Sequence, residues 1–111
     1  MALAYAEKQT VAGEVVELLL AGDWERLSAR STPEMRQVLE GRPGARRVWR
    51  RATRGKGSYT GIDAQLFTQE HAEPFQADIT VGFERGSTRV RVAINGAGLI
   101  NGLVLQRGDW R

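Results

Sequence analysis

Residues 75–94 read FQADITVGFERGSTRVRVAI, and this stretch decides the fold. Apolar side chains alternate with polar ones on both sides of the pair Gly86-Ser87. Alternation with a period of two is typical of a strand that buries one face and leaves the other wetter. A Gly-Ser pair between two such runs favours a tight turn. The stretch therefore predicts two antiparallel strands joined in a hairpin.

A third strand extends this hairpin into a meander. Leu99, Leu103 and Leu105 continue the alternation after a second turn signal at Gly96-Ala97. Two-residue loops at both turns would bring the apolar sets onto one face, and a slip of one residue would separate them. The predicted facing pairs are Phe83–Val90, Val81–Val92 and Ile79–Ile94 in the first hairpin, and Ile94–Leu99, Val92–Asn101 and Val90–Leu103 in the second.

An earlier strand is predicted near residues 58–68, but its facing stays open because two alternating sets both contain apolar side chains. A β-bulge inserts one extra residue into a strand and would let this strand use both sets. The two sets are Thr60, Ile62, Ala64 and Leu66, and Tyr59, Asp63, Gln65 and Phe67.

The first half of the chain has the spacing of helices. Gly22 is a common type of helix stop, and Asp23 can cap the helix that follows it. Thr32 before Pro33 is a further start signal, because proline at the first helical position loses no hydrogen bond. A breaker at 41–44 precedes the last helix. The predicted helices cover 2–21, 24–30, a segment that begins at Pro33, and 45–54.

Composition excludes several classes of site. A chain of 111 residues has the size of one domain. It has no cysteine and one histidine, so we expect no disulfide, thiolate site, histidine-rich metal site or metal cofactor. The first residues lack a basic start, and no window is apolar enough to span a membrane. We therefore expect a cytoplasmic location, no membrane contact and no bound cofactor.

Several short motifs, spread over roughly residues 8–106, resemble a known family. They include LLLAGDWE at 18–25, TPEM at 32–35 and VGFERG at 81–86. The pattern resembles the small bacterial domains of unknown function in the nuclear transport factor 2-like superfamily. The resemblance implies one α+β domain over 1–111, with N-terminal helices packed in the concavity of a curved, mainly antiparallel sheet. This cone is cystatin-like.

The same resemblance implies a homodimer and a pocket at the open end of the cone. Its relatives include ketosteroid isomerases, scytalone dehydratase, limonene epoxide hydrolase and polyketide cyclases, but also non-enzymatic modules. None of the catalytic motifs of these enzymes maps onto this chain, so enzymatic activity stays open. Fold alone does not assign it.

A few polar and aromatic side chains are candidates to line this pocket. Asn101 lies on an otherwise apolar strand face, and Tyr59 and Asp63 would point the same way if their part of the strand faces inward. Trp49 completes the candidate ligand-binding set. An apolar cavity would raise the pKa of Asp63, which makes Asp63 the best candidate for a catalytic proton shuttle. The alternative is that Asn101 binds backbone near the rim and Asp63 is solvated.

One segment makes the whole chain basic. Residues 41–60 hold seven basic residues and no acidic one, while the net charge of the chain is +3. On the predicted helix Arg46, Arg50 and Arg54 form a row that could bind anions. We do not expect nucleic acid, because no aromatic side chain interleaves this row to stack on bases. A solvated helix face whose arginine stems cover apolar surface is the alternative.

The remaining aromatic and titratable side chains point to ordinary structural roles. His71 lies in a polar loop, where we expect it to be solvated; a role as a lid acid or base is the alternative. The three tryptophans are candidates for the core or for an interface. They are Trp24, Trp49 and Trp110.

Three functions stay open at this point. The leading interpretation is a small-molecule-binding or accessory module, with an apolar pocket between the helices and the curved sheet. The alternative is a cofactor-independent isomerase, cyclase or hydrolase-like enzyme that uses Asp63. The further alternative is an interaction module whose arginine face binds nucleic acid or an acidic partner.

Overall fold

The computed structural model describes residues 3–41 and 44–107 and has four helices followed by four strands. Trp110 lies outside these residues. The helices are α1 (Tyr5–Ala21), α2 (Trp24–Ala29), α3 (Pro33–Glu40) and α4 (Ala45–Thr53). The strands are β1 (Tyr59–Phe67), β2 (Phe75–Phe83), β3 (Gly86–Ile94) and β4 (Ile100–Arg107).

The strands form one antiparallel sheet in the order β1-β2-β3-β4, and the helices pack against one of its faces. Alternate residues of β2 and β3 are buried beneath α1, which contacts both strands. The core therefore lies between α1 and the central strands, and the predicted α+β class is confirmed. Its most deeply buried members include Val15, Leu19, Ile79, Val81, Val90, Val92 and Ile94.

The predicted helix signals act as expected. Gly22 ends α1 with φ of 69°, a conformation that costs glycine little. The Asp23 side chain accepts a hydrogen bond from the Arg26 amide at 3.2 Å and caps α2. Thr32 caps α3 in the same way through the Met35 amide at 3.2 Å. These caps explain why three helix boundaries follow from local sequence.

The predicted register of the first hairpin is wrong. Ile79 pairs with Val90 rather than with Ile94, because the turn lies at Glu84-Arg85. Residues 56–58 hold this turn: the Glu84 amide donates to the Ser58 carbonyl at 3.0 Å, and the Arg85 amide donates to the Lys56 carbonyl at 2.8 Å. The shift is an even number of residues, so the predicted buried face is preserved.

The predicted register of the second hairpin is also wrong. Val92 pairs with Leu103 rather than with Asn101. The side chain of Asn95 accepts hydrogen bonds from the amides of Ala97 and Leu99, both at 3.0 Å, and so organises a longer turn. A bulge then leaves Asn101 without a facing partner, and its side chain is exposed instead of lying on the apolar face.

Two register shifts in β1 show that this strand does use both sets of side chains. They lie between Tyr59 and Gly61 and between Ile62 and Ala64. Because of these shifts, the β1 residues that lie on the helix side of the sheet are not always two apart in sequence. The side chains on the helix side are those of Tyr59, Ile62, Gln65 and Phe67, whose partners are Phe83, Val81, Ile79 and Ala77.

Lys56 belongs to the basic segment of the sequence, but in the structure it is buried. Its side chain is 1% exposed, and its Nζ donates to the Ser87 carbonyl at 2.6 Å. The ammonium group also lies beside Gly86, whose φ of 148° suits only glycine. Lys56 thus links the end of the helical half to the start of β3.

The variant Lys56→Met tests this link, because it keeps a long apolar stem and removes the charged donor. We expect the free energy of unfolding to fall by about 1–3 kcal/mol, since the Ser87 carbonyl loses its donor. Urea unfolding measures the change. The control Arg54→Met removes one charge at an exposed position and should stay within about 0.5 kcal/mol of the native protein. Native stability in Lys56→Met would contradict the link.

Candidate functional site

A cleft separates α1 from the edge strand β1. The helix crosses β2 and β3 and leaves the helix side of β1 largely uncovered, so that Tyr59 is 47% and Ile62 38% exposed. The resulting cavity has a volume of about 190 Å³. We call it the α1–β1 cleft. Its lining residues are Gly13, Val16, Glu17, Leu20, Tyr59, Ile62, Gln65 and Ile79.

The α1–β1 cleft combines apolar walls with a few polar groups. Aliphatic side chains of α1, β1 and β2 form the walls, while Glu17, Gln65 and Tyr59 supply a carboxylate, an amide and a hydroxyl. The Tyr59 ring packs edge-on against Phe83 with centroids 6.4 Å apart, which fixes one wall. Such a lining suits a small apolar molecule with one polar substituent.

Gly13 opens the cleft from the helix side. It lies inside α1, where a Cβ atom would meet nothing within 4 Å. Glycine in a helix interior costs roughly 1 kcal/mol relative to alanine. No close approach requires the glycine here, and the space beside it is part of the cleft.

The structure does not bring Tyr59, Asp63 and Asn101 together. Asp63 is exposed on the outer face of the sheet, where its carboxylate covers Gly82; a Cβ at Gly82 would lie 2.6 Å from Oδ1. Asn101 lies on β4, at the opposite edge of the sheet from β1. Of the three, only Tyr59 reaches the cleft, because the bulges in β1 turn its neighbour Asp63 to the other side.

The outer face of the sheet carries an ion pair in its centre. The Arg91 guanidinium donates from Nε and Nη2 to the two carboxylate oxygens of Asp78 at 2.9 and 3.3 Å. This hydrogen bonding raises the pKa of Arg91, and the attraction of the Asp78 charge adds to it. Both side chains are accessible to solvent, and the pair lies on the face of the sheet opposite the helices.

A second depression combines arginines with tryptophans. Arg46 and Arg50, one turn apart on α4, lie beside Trp24 of α2 and Trp49. The Arg46 guanidinium carbon is 6.0 Å from the centroid of the Trp24 ring, within reach of a cation–π contact. We call this depression the Arg–Trp groove; its volume is about 460 Å³. Its lining residues are Leu19, Leu20, Ala21, Gly22, Trp24, Arg46, Trp49, Arg50 and Thr53.

The row of arginines in the structure is shorter than the row predicted from the sequence. Arg54 lies after the last residue of α4 with extended backbone, φ of −60° and ψ of 130°, and does not line the Arg–Trp groove. Trp49 packs against Phe83, with ring centroids 6.4 Å apart, and also lines the groove. Arg46, Arg50 and Trp49 therefore share one surface, and Arg54 falls outside it.

Sequence reasoning missed the two features that shape these depressions. Nothing in the sequence places Trp24 against Arg46, because the two residues lie on different helices. Gly13 was within reach of sequence reasoning, since an isolated glycine inside a helical pattern is a known signal. His71, by contrast, is exposed with φ of 74° and lies in neither depression.

Two further results concern metal sites and membrane spans among the described residues. Within residues 3–41 and 44–107, no group of three His, Cys, Asp or Glu side chains could hold a metal ion. None of the helices in the same ranges has the length and apolar character of a bilayer span. Comparison with known proteins adds nothing here: no family model, curated protein or solved structure matches the chain.

The variant Gly13→Ala tests whether the glycine is structurally dispensable. We expect it to raise the free energy of unfolding by about 0.5–1 kcal/mol, because alanine favours the helix and its Cβ meets no neighbour. Thermal or urea unfolding measures the gain. The control Gly22→Ala should destabilise the protein, since Gly22 has φ of 69°. A loss of stability in Gly13→Ala would show that Gly13 serves packing instead.

Proposed function

We propose that this protein is a non-catalytic binding or accessory module that holds a small, mainly apolar molecule in the α1–β1 cleft. The observation that carries the proposal is Gly13, which leaves open space above the uncovered side of β1 at the expense of helix stability. Tyr59 and Ile62 remain exposed there, although burying apolar surface is favourable. A bound molecule would cover them.

The dimensions of the cleft indicate the size of its ligand. An apolar cavity of about 150 Å³ is enough for benzene. The α1–β1 cleft, at about 190 Å³, therefore suits a molecule with a single ring or a short branched chain. The hydroxyl of Tyr59 and the polar groups of Glu17 and Gln65 could orient one hydroxyl or carbonyl substituent.

The enzymatic alternative receives no support from the position of Asp63. A general acid or base has to lie within hydrogen-bond reach of the reacting atom. Asp63 lies on the outer face of the sheet, while the cleft opens on the helix side. Asn101 and Trp49 lie outside the cleft as well. We therefore favour binding over catalysis.

The proposal includes the finer features that the family resemblance implies. These are the nuclear transport factor 2-like cone, a single domain over 1–111, a homodimer and a cytoplasmic location. Four helices followed by a four-stranded meander agree with such a cone. Leu66 and Val104 are 71% and 46% exposed on the outer face of the sheet, on its two edge strands.

Phenol is a suitable probe for the cleft, because it joins one apolar ring to one hydroxyl. We expect a titration followed by amide chemical shifts to move the signals of Val16, Leu20 and Ile62. Native mass spectrometry of gently purified protein should also reveal any retained small molecule. Gly13→Leu should abolish both results, since the larger side chain would fill the cleft from the helix side.

Gly13→Ala is the matched control, because it makes the same change in helix propensity but adds only one carbon atom. It should retain at least half of the native response to phenol. If Gly13→Leu binds phenol as well as the native protein does, or if phenol moves only signals outside the cleft, the proposal is wrong.

A further inference from the structure

We infer that the Arg–Trp groove is a docking surface for an acidic peptide segment that also carries an apolar side chain. This surface is independent of the α1–β1 cleft in its chemistry, because its walls are cationic and aromatic. The two depressions share Leu20 alone.

The charge of the groove lining is positive. Arg46 and Arg50 are exposed, and the residues that line the groove within 3–41 and 44–107 include no carboxylate. None of the ion pairs within the described part of the chain includes an arginine of α4. Exposed guanidinium groups one helical turn apart can each donate to a carboxylate of an incoming chain. The groove therefore favours an anionic partner.

The two tryptophans favour a peptide over a nucleic acid. Both are only partly exposed, and both rings already have neighbours: the Arg46 guanidinium lies over Trp24, and Phe83 lies 6.4 Å from Trp49. Binding of single-stranded nucleic acid uses open aromatic faces on which bases stack. Here each ring already has such a neighbour, and Leu20 adds apolar surface to the groove lining. Such a surface suits an aliphatic or aromatic side chain of a peptide.

The neighbouring surface strengthens this choice. Trp24 and Arg46 also line a larger open groove of about 620 Å³ between α2, α3 and α4. That groove carries Glu25 and Glu40 together with Arg36. Carboxylates along the path would repel a continuous phosphate backbone. A peptide can confine its acidic residues to the Arg–Trp groove and place uncharged residues beside these carboxylates, which a uniformly charged backbone cannot do.

The probe is a fluorescein-labelled peptide with the sequence Glu-Asp-Phe-Glu-Asp-Leu-Glu, and fluorescence anisotropy reports its binding to the full chain. We expect binding that weakens as the salt concentration rises, because part of the attraction is screened. The double variant Arg46→Glu/Arg50→Glu should weaken binding about tenfold or more, since it places like charges opposite the peptide.

The matched control is Arg47→Glu/Arg51→Glu, which makes the same change in net charge on the same helix at exposed positions outside the groove. It should weaken binding by less than about threefold. Gly13→Leu should leave peptide binding unchanged, so that failure of the small-molecule proposal and failure of this inference are separable.

Three results would overturn the inference. The first is the absence of peptide binding at low salt. The second is an equal loss of binding in the two double variants, which would indicate a diffuse charge effect. The third is tighter binding of a single-stranded DNA of mixed sequence and twelve nucleotides than of the peptide, which would assign the surface to nucleic acid.

Discussion

The contact between residues 56–58 and the turn at Glu84-Arg85 is the constraint on which the rest of the structure depends. Backbone hydrogen bonds hold the turn against this segment, and the Ser58 amide donates to the Glu84 carboxylate at 2.9 Å. The contact sets the register of the first hairpin and the point where β1 begins. A second contact involves Ala52 of α4, which lies about one helical turn before Lys56. The Thr88 hydroxyl donates to the Ala52 carbonyl at 2.9 Å and so fixes α4 against β3.

This constraint positions both depressions. β1 lies at the edge of the sheet, where two bulges leave Tyr59 and Ile62 on the helix side while α1 remains over the central strands. The space left between them is the α1–β1 cleft. Because α4 is held against β3, its arginines project from the helical layer beside α2. The Arg–Trp groove forms between α4, the start of α2 and the end of α1.

The two depressions differ in the kind of partner that they fit. The α1–β1 cleft is small and mostly aliphatic, with its polar groups at Tyr59, Gln65 and Glu17. The Arg–Trp groove is wider, cationic and partly aromatic. Asp63, the candidate catalytic residue, lines neither of these depressions.

The sequence by itself determined the parts of this protein that depend on local chemistry. Gly22, Asp23 and Thr32 each act on backbone atoms within a few residues, so helix boundaries could be predicted from them. The buried face of β2 and β3 also followed, because side-chain direction alternates with a period of two. A bulge in β1 was an open possibility that the two competing sets already suggested.

Only the tertiary structure decided register and proximity. A period of two tolerates any even shift, so the alternation alone could not choose between Val90 and Ile94 as the partner of Ile79. Contacts from residues 56–58 made that choice. The turn around Asn95 likewise moved Asn101 into solvent. The Arg46 guanidinium lies over Trp24 although the two residues belong to different helices, and no local pattern encodes a contact between separate elements.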